Sequence, residues 1–208
     1  MNLLLVEDRE LTGATCIVTD RRAAHLREVL GVVPGSTVKM GVLGGDLGTG
    51  EVISDDGAAI ALQFTATGAP PPQLDVELVL AIPRPKALAR VVETCAAFAV
   101  RRVELTNAWR VDKSYLRSPK LEATALAHAA RLGAEQGATT HLPELHVHDR
   151  LMVLLDARFP PRAPSGQLLI AHPYAKPIET VIESAPRVLA IGPEGGWIER
   201  ELATFVER

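Results

Sequence analysis

The sequence predicts an α/β domain preceded by a small β-rich barrel, and three observations carry that prediction. From Leu74 onward, short apolar runs alternate with segments of helical periodicity. Before that point, strand-like runs are separated by Gly- and Asp-containing turns. Between the two lie Pro70, Pro71 and Pro72, which cannot continue a helix or sit in a central strand and favour a stiff, extended connection. The expected division is therefore residues 1–72 and residues 73–208.

In the first part, Leu3 to Val6 and Cys16 to Val18 have the composition of short strands. Arg22 to Leu30 places Ala23, Leu26, Val29 and Leu30 at helical spacing, with Thr19 or Asp20 before it as a cap and Gly31 after it as a stop. Strands are then expected at Thr37 to Val42, Gly50 to Ser54 and Ala59 to Phe64, with turns at Leu43-Gly44-Gly45-Asp46 and Asp55-Asp56-Gly57.

The second part opens on the strand Val76 to Ile82, followed by a helix from Ala87 to Ala99 with Leu88, Val91, Val92, Cys95 and Phe98 on one side. Arg102 to Leu105 is a further strand. One long helix is expected over Pro119 to Gln136, with Ser118 as the cap and Pro119 in its first turn. Leu168 to Ala171 and Val188 to Ile191 are short apolar strands of the kind buried in a parallel sheet.

Composition excludes several classes. The chain has 208 residues, 47% of them hydrophobic, which suits a folded globular protein and argues against disorder. Its longest apolar runs, such as Leu151 to Leu155, are far short of a membrane span. The first eight residues lack the basic start and cleavage pattern of a signal peptide, so a cytosolic protein is expected. Cys16 and Cys95 belong to no CxxC pair and read as reduced, small apolar residues. The net charge of −3 is unevenly spread. Residues 1–72 hold five Lys/Arg against nine Asp/Glu, whereas Arg84 to Lys120 holds nine bases against Glu93, Glu104 and Asp112. If those bases share a face they form the best phosphate-contacting surface in the chain; otherwise they are a solvated charged face.

Chemistry is concentrated in Val188-Leu189-Ala190-Ile191-Gly192-Pro193-Glu194-Gly195-Gly196-Trp197 and the Ile198-Glu199-Arg200-Glu201-Leu202 that follows. This reads as strand, tight loop and helix start, the place where an α/β protein usually holds a ligand. Gly192, Gly195 and Gly196 allow close approach to the backbone amides, and Pro193 stiffens the turn. The loop is neither GxGxxG nor a P-loop, and no serine lies in a GxSxG context. His141, His146 and His148 lie close together, and on a strand His146-x-His148 would place two imidazoles on one side as metal ligands, but there is no HExxH or carboxylate at a recognised spacing, so no metal is expected and a surface loop with histidines is the preferred reading. Trp197 can stack on a base or fill the core, and the core is preferred.

Ile191-Gly192-Pro193-Glu194-Gly195-Gly196, with Glu199 and Glu201 beyond it, resembles the IGPEGG signature of the RsmE family, the SPOUT-class methyltransferases that modify N3 of a uridine in small-subunit ribosomal RNA. The resemblance continues in order through most of the second half. Ala81-Ile82-Pro83-Arg84-Pro85-Lys86 stands at the family's lead strand and Lys-containing loop. Glu135-Gln136 and Pro143-Glu144-Leu145 match its EQxxRxxVPEI block in spacing, and Ala171-His172-Pro173 resembles its LHP. The resemblance implies a SPOUT-type α/β domain with a trefoil knot over 73–208, behind a PUA-like β-barrel over 1–72 that helps place the RNA. It also implies S-adenosylmethionine as cofactor, ribosomal RNA or the assembled small subunit as partner, and a homodimer, with no membrane and no metal. The cofactor-binding residues it implies are Ala171, His172, Ile191, Gly192, Gly195 and Gly196, with His172 shaping the pocket. Glu194, the acid inside the loop, and Arg110, retained from a family motif, are the catalytic candidates. The alternative for Glu194 is a carboxylate that bonds the loop's own amides.

The sequence departs from the family where Ala97-Phe98-Ala99 replaces Glu-Leu-Gly, Ala108-Trp109-Arg110 replaces Ser-Glu-Arg, and Ala138-Thr139 replaces Gly-Arg. The family's closing LGxRILRxETA segment, which threads the knot and completes the cofactor pocket, has no match here. Either a further C-terminal segment exists or the protein lacks half of this cofactor loop, and the first is the expected explanation, because without the segment an unpaired strand edge and an open apolar groove remain. A diverged member that binds RNA or a nucleotide without methyl transfer is the alternative function, and a metal-dependent hydrolase a distant third.

Overall fold

A computed structural model describes residues 2–160, 168–180 and 187–208. Backbone packing divides the chain into two units. The first takes in the chain up to Gln73, with Ala96–Ala99 and Ala130–Leu142. The second takes in Leu74–Cys95, Val100–Ala129 and the chain from Pro143 on.

The first unit is built on six strands: β1 (Leu4–Val6), β2 (Leu11–Thr12), β3 (Thr15–Val18), β4 (Thr37–Val42), β5 (Leu47–Asp55) and β6 (Ile60–Gly68). They pair in the order β1-β4-β5-β6-β3-β2, antiparallel except for β1 on β4. Alternation along these strands sends Leu4, Val6, Cys16, Val18, Met40, Val52, Ile60 and Leu62 into one core, which Ala23 and Leu26 of α1 (Arg21–Glu28) complete. The Asp20 side chain caps α1 by accepting the Arg22 amide at 2.8 Å. Gly48 lies so close to the neighbouring strand that a Cβ there would fall 2.2 Å from the Thr65 carbonyl oxygen.

One buried cation organises this unit. The Arg22 guanidinium donates to Leu5 O at 3.0 Å and to both Glu10 and Asp20. The Arg22 hydrogen bond holds the Glu10 carboxyl below the ordinary range. At Asp20 burial pushes the other way, but the hydrogen bonds from Arg22 outweigh it and the carboxyl is again lowered.

The second unit holds five parallel strands, β7 (Leu74–Ala81), β8 (Val100–Thr106), β9 (Glu144–His148), β10 (Leu168–Ile170) and β11 (Val188–Ile191), in the order β10-β11-β7-β8-β9. The near-continuous apolar run of β7 follows from its central position, since Val79, Leu80 and Ala81 are buried. Helices α2 (Pro85–Ala97), α3 (Ala123–Gly137), α4 (Leu151–Arg158) and α5 (Glu199–Val206) follow β7, β8, β9 and β11. Two buried acids lie on the sheet: Glu77 meets Arg101 at 2.7 Å and Arg158 at 2.6 Å, and Glu104 meets His148 at 2.6 Å. Among the described residues, no helix is long and apolar enough to cross a membrane.

Two local expectations need correction, and one apolar run left without an element proves to be helical. The helix expected over Pro119 to Gln136 is two elements. Pro119–Leu121 is a single 3-10 turn, capped by Ser118 Oγ at the Lys120 amide, and Glu122 is then extended before α3 begins. The Glu122 carbonyl receives the Leu126 amide, which makes Glu122 the N-cap of α3. The histidines expected on a loop include His146 and His148 on β9, where alternation places both on one face with ring centroids 6.4 Å apart. Leu151 to Leu155, noted only as an apolar run, belongs to α4, which buries Leu151, Leu154 and Leu155 at helical spacing.

Candidate active site

The order of the parallel strands locates the crevice. The chain moves outward from β7 to β8 and β9, then returns on the other side through β10 and β11, so the strand order reverses between β7 and β11. Ligands of open α/β sheets bind beyond the carboxyl ends of the strands at such a switch point. The segment after β11 is Gly192 to Trp197, the stretch with the densest chemistry in the sequence.

Its shape follows from its residues. Gly196 has φ of 73° and its amide donates to Pro193 O at 2.7 Å, closing a tight turn over Glu194 and Gly195. A Cβ at Gly192 would lie 3.1 Å from the Trp197 indole nitrogen, so the bare backbone here lets the ring pack underneath. Trp197 is buried and stands edge-on to Phe205 of α5, with centroids 5.1 Å apart, as the core reading expects.

Two other segments at this end of the sheet hold the turn, and a buried carboxylate ties the second of them to α5. After β7, the Arg84 amide donates to Glu194 Oε1 at 3.3 Å, and the Arg84 guanidinium lies 3.4 Å from the same oxygen, so Glu194 bridges the switch point. After β8, Arg110 Nη1 donates to the Gly195 carbonyl at 2.5 Å. Glu201, buried in the first turn of α5, accepts the Trp109 amide at 2.8 Å and the Ile198 amide at 3.0 Å. That second bond satisfies one of the amides a helix start leaves open.

After β10, the Ala171 amide extends the ladder to Ala190 O at 2.8 Å. His172 Nδ1 accepts the Tyr174 amide at 3.3 Å, and the His172 carbonyl accepts the Ala175 amide at 3.0 Å, which curls the segment back. A cavity of about 400 Å³ lies here, lined by Leu169, Ile170, Ala171, His172, Lys176 and Leu189 among others.

The structure thus sorts the residues singled out in the sequence. Ala171 and His172 share this apolar cavity, while Ile191, Gly192, Gly195 and Gly196 form the adjoining turn with Glu194 and Arg110 locked onto it. Sequence reasoning missed Arg84 as a holder of the turn and Glu201 as the tie between the second segment and α5. Arg84 lies in the quoted Pro83-Arg84-Pro85-Lys86 block, and Glu201 stands three residues after Ile198, the spacing of a carboxylate that reaches back to a helix start.

The family model for the RNA methyltransferase domain matches residues 70–208. Across nearly the whole chain, the sequence is similar to ribosomal RNA small subunit methyltransferase E of Treponema pallidum, at 23% identity over 99% of this chain and 80% of that protein. It is also similar to ribosomal RNA small subunit methyltransferase E 1 of Borreliella burgdorferi, at 23% identity over 97% of this chain and 84% of that protein. In three dimensions it is similar to a ribosomal RNA small subunit methyltransferase E from Neisseria gonorrhoeae solved bound to S-adenosyl methionine. That likeness has a TM-score of 0.73 at 18% identity, covers 99% of this chain and 86% of that one, and is one of fold.

Proposed function

The chain belongs to the RNA methyltransferase domain family, and from that premise we propose that it is an S-adenosylmethionine-dependent methyltransferase acting on N3 of a uridine in small-subunit ribosomal RNA. The observation that carries the proposal is a glycine turn at the switch point of a parallel sheet, with an apolar cavity on the neighbouring strand β10. On the same reading residues 1–72 are a PUA-like domain that helps place the RNA, residues 73–208 carry the SPOUT fold, and the protein works as a cytosolic homodimer.

The residues present fit the cofactor. The cavity beside β10, at about 400 Å³, lies within the range of roughly 300–1,000 Å³ typical of small-ligand pockets. Leu169, Ile170 and Leu189 give it apolar walls suited to an adenine and Ala171 and His172 line it, while Ile191, Gly192, Gly195 and Gly196 would meet the polar edges from the next strand with the backbone groups the turn does not already use. When bound, the cofactor supplies an electrophilic methyl group.

The chain must then present N3 of the uracil without its proton. That proton is weakly acidic, so its removal needs a base or stabilisation of the resulting anion. Arg110 spends one N–H on Gly195 O and keeps its remaining donors for an anionic uracil oxygen. Glu194, half exposed and oriented by the Arg84 amide, is the acceptor for the N3 proton.

Isothermal calorimetry with S-adenosylmethionine tests the cofactor assignment. Micromolar binding is expected, with loss in Gly195→Trp, since even a Cβ at Gly195 would lie 3.2 Å from Arg110 Cδ. Methyl transfer to unmodified small subunits is expected to map to a uridine N3. Absence of cofactor binding by the wild-type chain overturns the enzyme reading, and RNA binding without transfer would make the protein a non-catalytic member of the family.

A further inference from the structure

A second cavity in the same unit, of about 420 Å³, opens beside the candidate active site. Trp109, Lys113, Arg150 and Arg200 line it together with the first turn of α4. Trp109 is 74% exposed, although its backbone amide is fixed by Glu201. An exposed indole with an anchored backbone is a flat platform, and the adjacent cations have few competing partners. The Lys113 ammonium meets the neutral Asn107 Oδ1 at 3.1 Å, and among the described residues neither Arg150 nor Arg200 forms an ion pair. Arg150 also stands at the N-cap of α4, where it supplies no side-chain acceptor, so the first-turn amides of Leu151 to Val153 are left without a cap. Of the two acids at the cavity, Glu201 is committed to two backbone amides, which leaves Asp149 alone against three cations.

Aromatic face, clustered cations and open amides match the two halves of a nucleotide. Bases stack on aromatic rings whatever their sequence, while phosphates are held by cations and backbone N–H groups. We propose that this cavity binds a nucleotide of the RNA substrate next to the one that is modified, with its base on Trp109 and its phosphodiester against Lys113, Arg150 and Arg200. The site deepens the RNA methyltransferase reading and rests on it. Arg110, which follows Trp109 directly, would then be reached by the neighbouring nucleotide, so seating one base on the indole would set the register of the next at the turn.

Fluorescence anisotropy with a labelled single-stranded uridine-rich hexanucleotide tests the proposal, in parallel with S-adenosylmethionine calorimetry on the same proteins. Trp109→Ala is expected to weaken RNA binding about tenfold or more, from the usual cost of losing one stacked base. Arg150→Ala and Arg200→Ala are expected each to lower the salt dependence, reducing the slope of log affinity against log salt by about 0.7. Cofactor affinity is expected to stay within twofold in all three. If RNA affinity and salt slope are unchanged in the variants while the wild type binds both ligands, the cavity assignment is overturned and the methyltransferase reading stands. If the wild type binds neither ligand, both fall together.

Discussion

Glu201→Gln tests the arrangement of the site through one buried carboxylate. Its two oxygens take separate backbone donors, Trp109 N at 2.8 Å and Ile198 N at 3.0 Å, so the side chain ties the segment after β8 to the start of α5. Glutamine keeps one carbonyl oxygen but turns an NH2 group toward the other amide, leaving a buried donor facing a donor. Loss of one hydrogen bond to a charged acceptor costs roughly 1.5–3 kcal/mol, and removing a negative charge from a helix first turn adds roughly 0.3–1 kcal/mol. About 2–4 kcal/mol of local stability is therefore expected to go. Amide hydrogen exchange reads this directly. Near 2 kcal/mol, the exchange of the Trp109 or Ile198 amide should accelerate about 30-fold, given tenfold per 1.4 kcal/mol. In activity assays kcat/KM is expected to fall, because Arg110 is carried on the released segment. Unchanged protection at both amides would refute the reasoning.

Gly196→Ala should make the turn relax to escape backbone strain and so weaken S-adenosylmethionine binding about tenfold. Its φ of 73° has no clashing neighbour, and a left-handed conformation costs a residue with a Cβ roughly 1–2 kcal/mol; unaltered affinity in calorimetry would count against the turn. Acid should weaken the first unit through Glu10 and Asp20. Both have folded carboxyl pKa values below their unfolded ones, so their stabilisation is complete above the unfolded values, near pH 4, and is lost as pH falls through the folded ones. Urea midpoints between pH 6 and pH 3 should accordingly decline less steeply in Glu10→Gln than in the wild type. Burial pushes the thiols of Cys16 and Cys95 up to about 11, so both should resist a disulfide reagent at pH 8 in the native protein and react promptly in urea.

How far the sequence could be read depends on whether a feature is local. The strands β1, β3 and β11 and the cap at Asp20 were legible because alternation and side-chain chemistry act over a few residues. The break at Glu122 was not, since Pro119 can open either a 3-10 turn or an α-helix and only the later backbone decides. The same division holds at the site. Glycines announced the turn, but nothing near Arg84 in the sequence shows that its amide meets Glu194, because that contact spans 110 positions and exists only through the strand order. Glu104 and Glu77 read as ordinary charges in a basic stretch or a strand, and only the sheet register and α4 bring them Arg158 and His148.

The departures from the family's pattern fall into two physical groups, and one of them carries its own test. Ala108 and Trp109 stand after β8, beside the turn. Ala99 and Ala138 stand elsewhere, just past the ends of α2 and α3, and they have φ of 52° and 53°. Both close a helix end: the Ala99 amide bonds Ala96 O at 2.9 Å, and the Thr139 amide bonds Ala134 O at 3.1 Å. Glycine is the usual residue of such left-handed caps because it has no Cβ to strain, and it is what the family carries at both positions. Here an alanine Cβ costs roughly 1–2 kcal/mol at each, offset by the roughly 0.4–1 kcal/mol by which it restricts the unfolded chain. Ala99→Gly and Ala138→Gly should therefore each stabilise the protein by a few tenths to about 1 kcal/mol, raising the urea midpoint without altering cofactor affinity. The two changes lie on helix ends that approach each other at Gly137, where a Cβ would fall 2.2 Å from Ala97 O, so their effects need not add in the double variant. A lower urea midpoint in both single variants would show that alanine is favoured at these caps for some contact of its methyl group, and would overturn the strain argument.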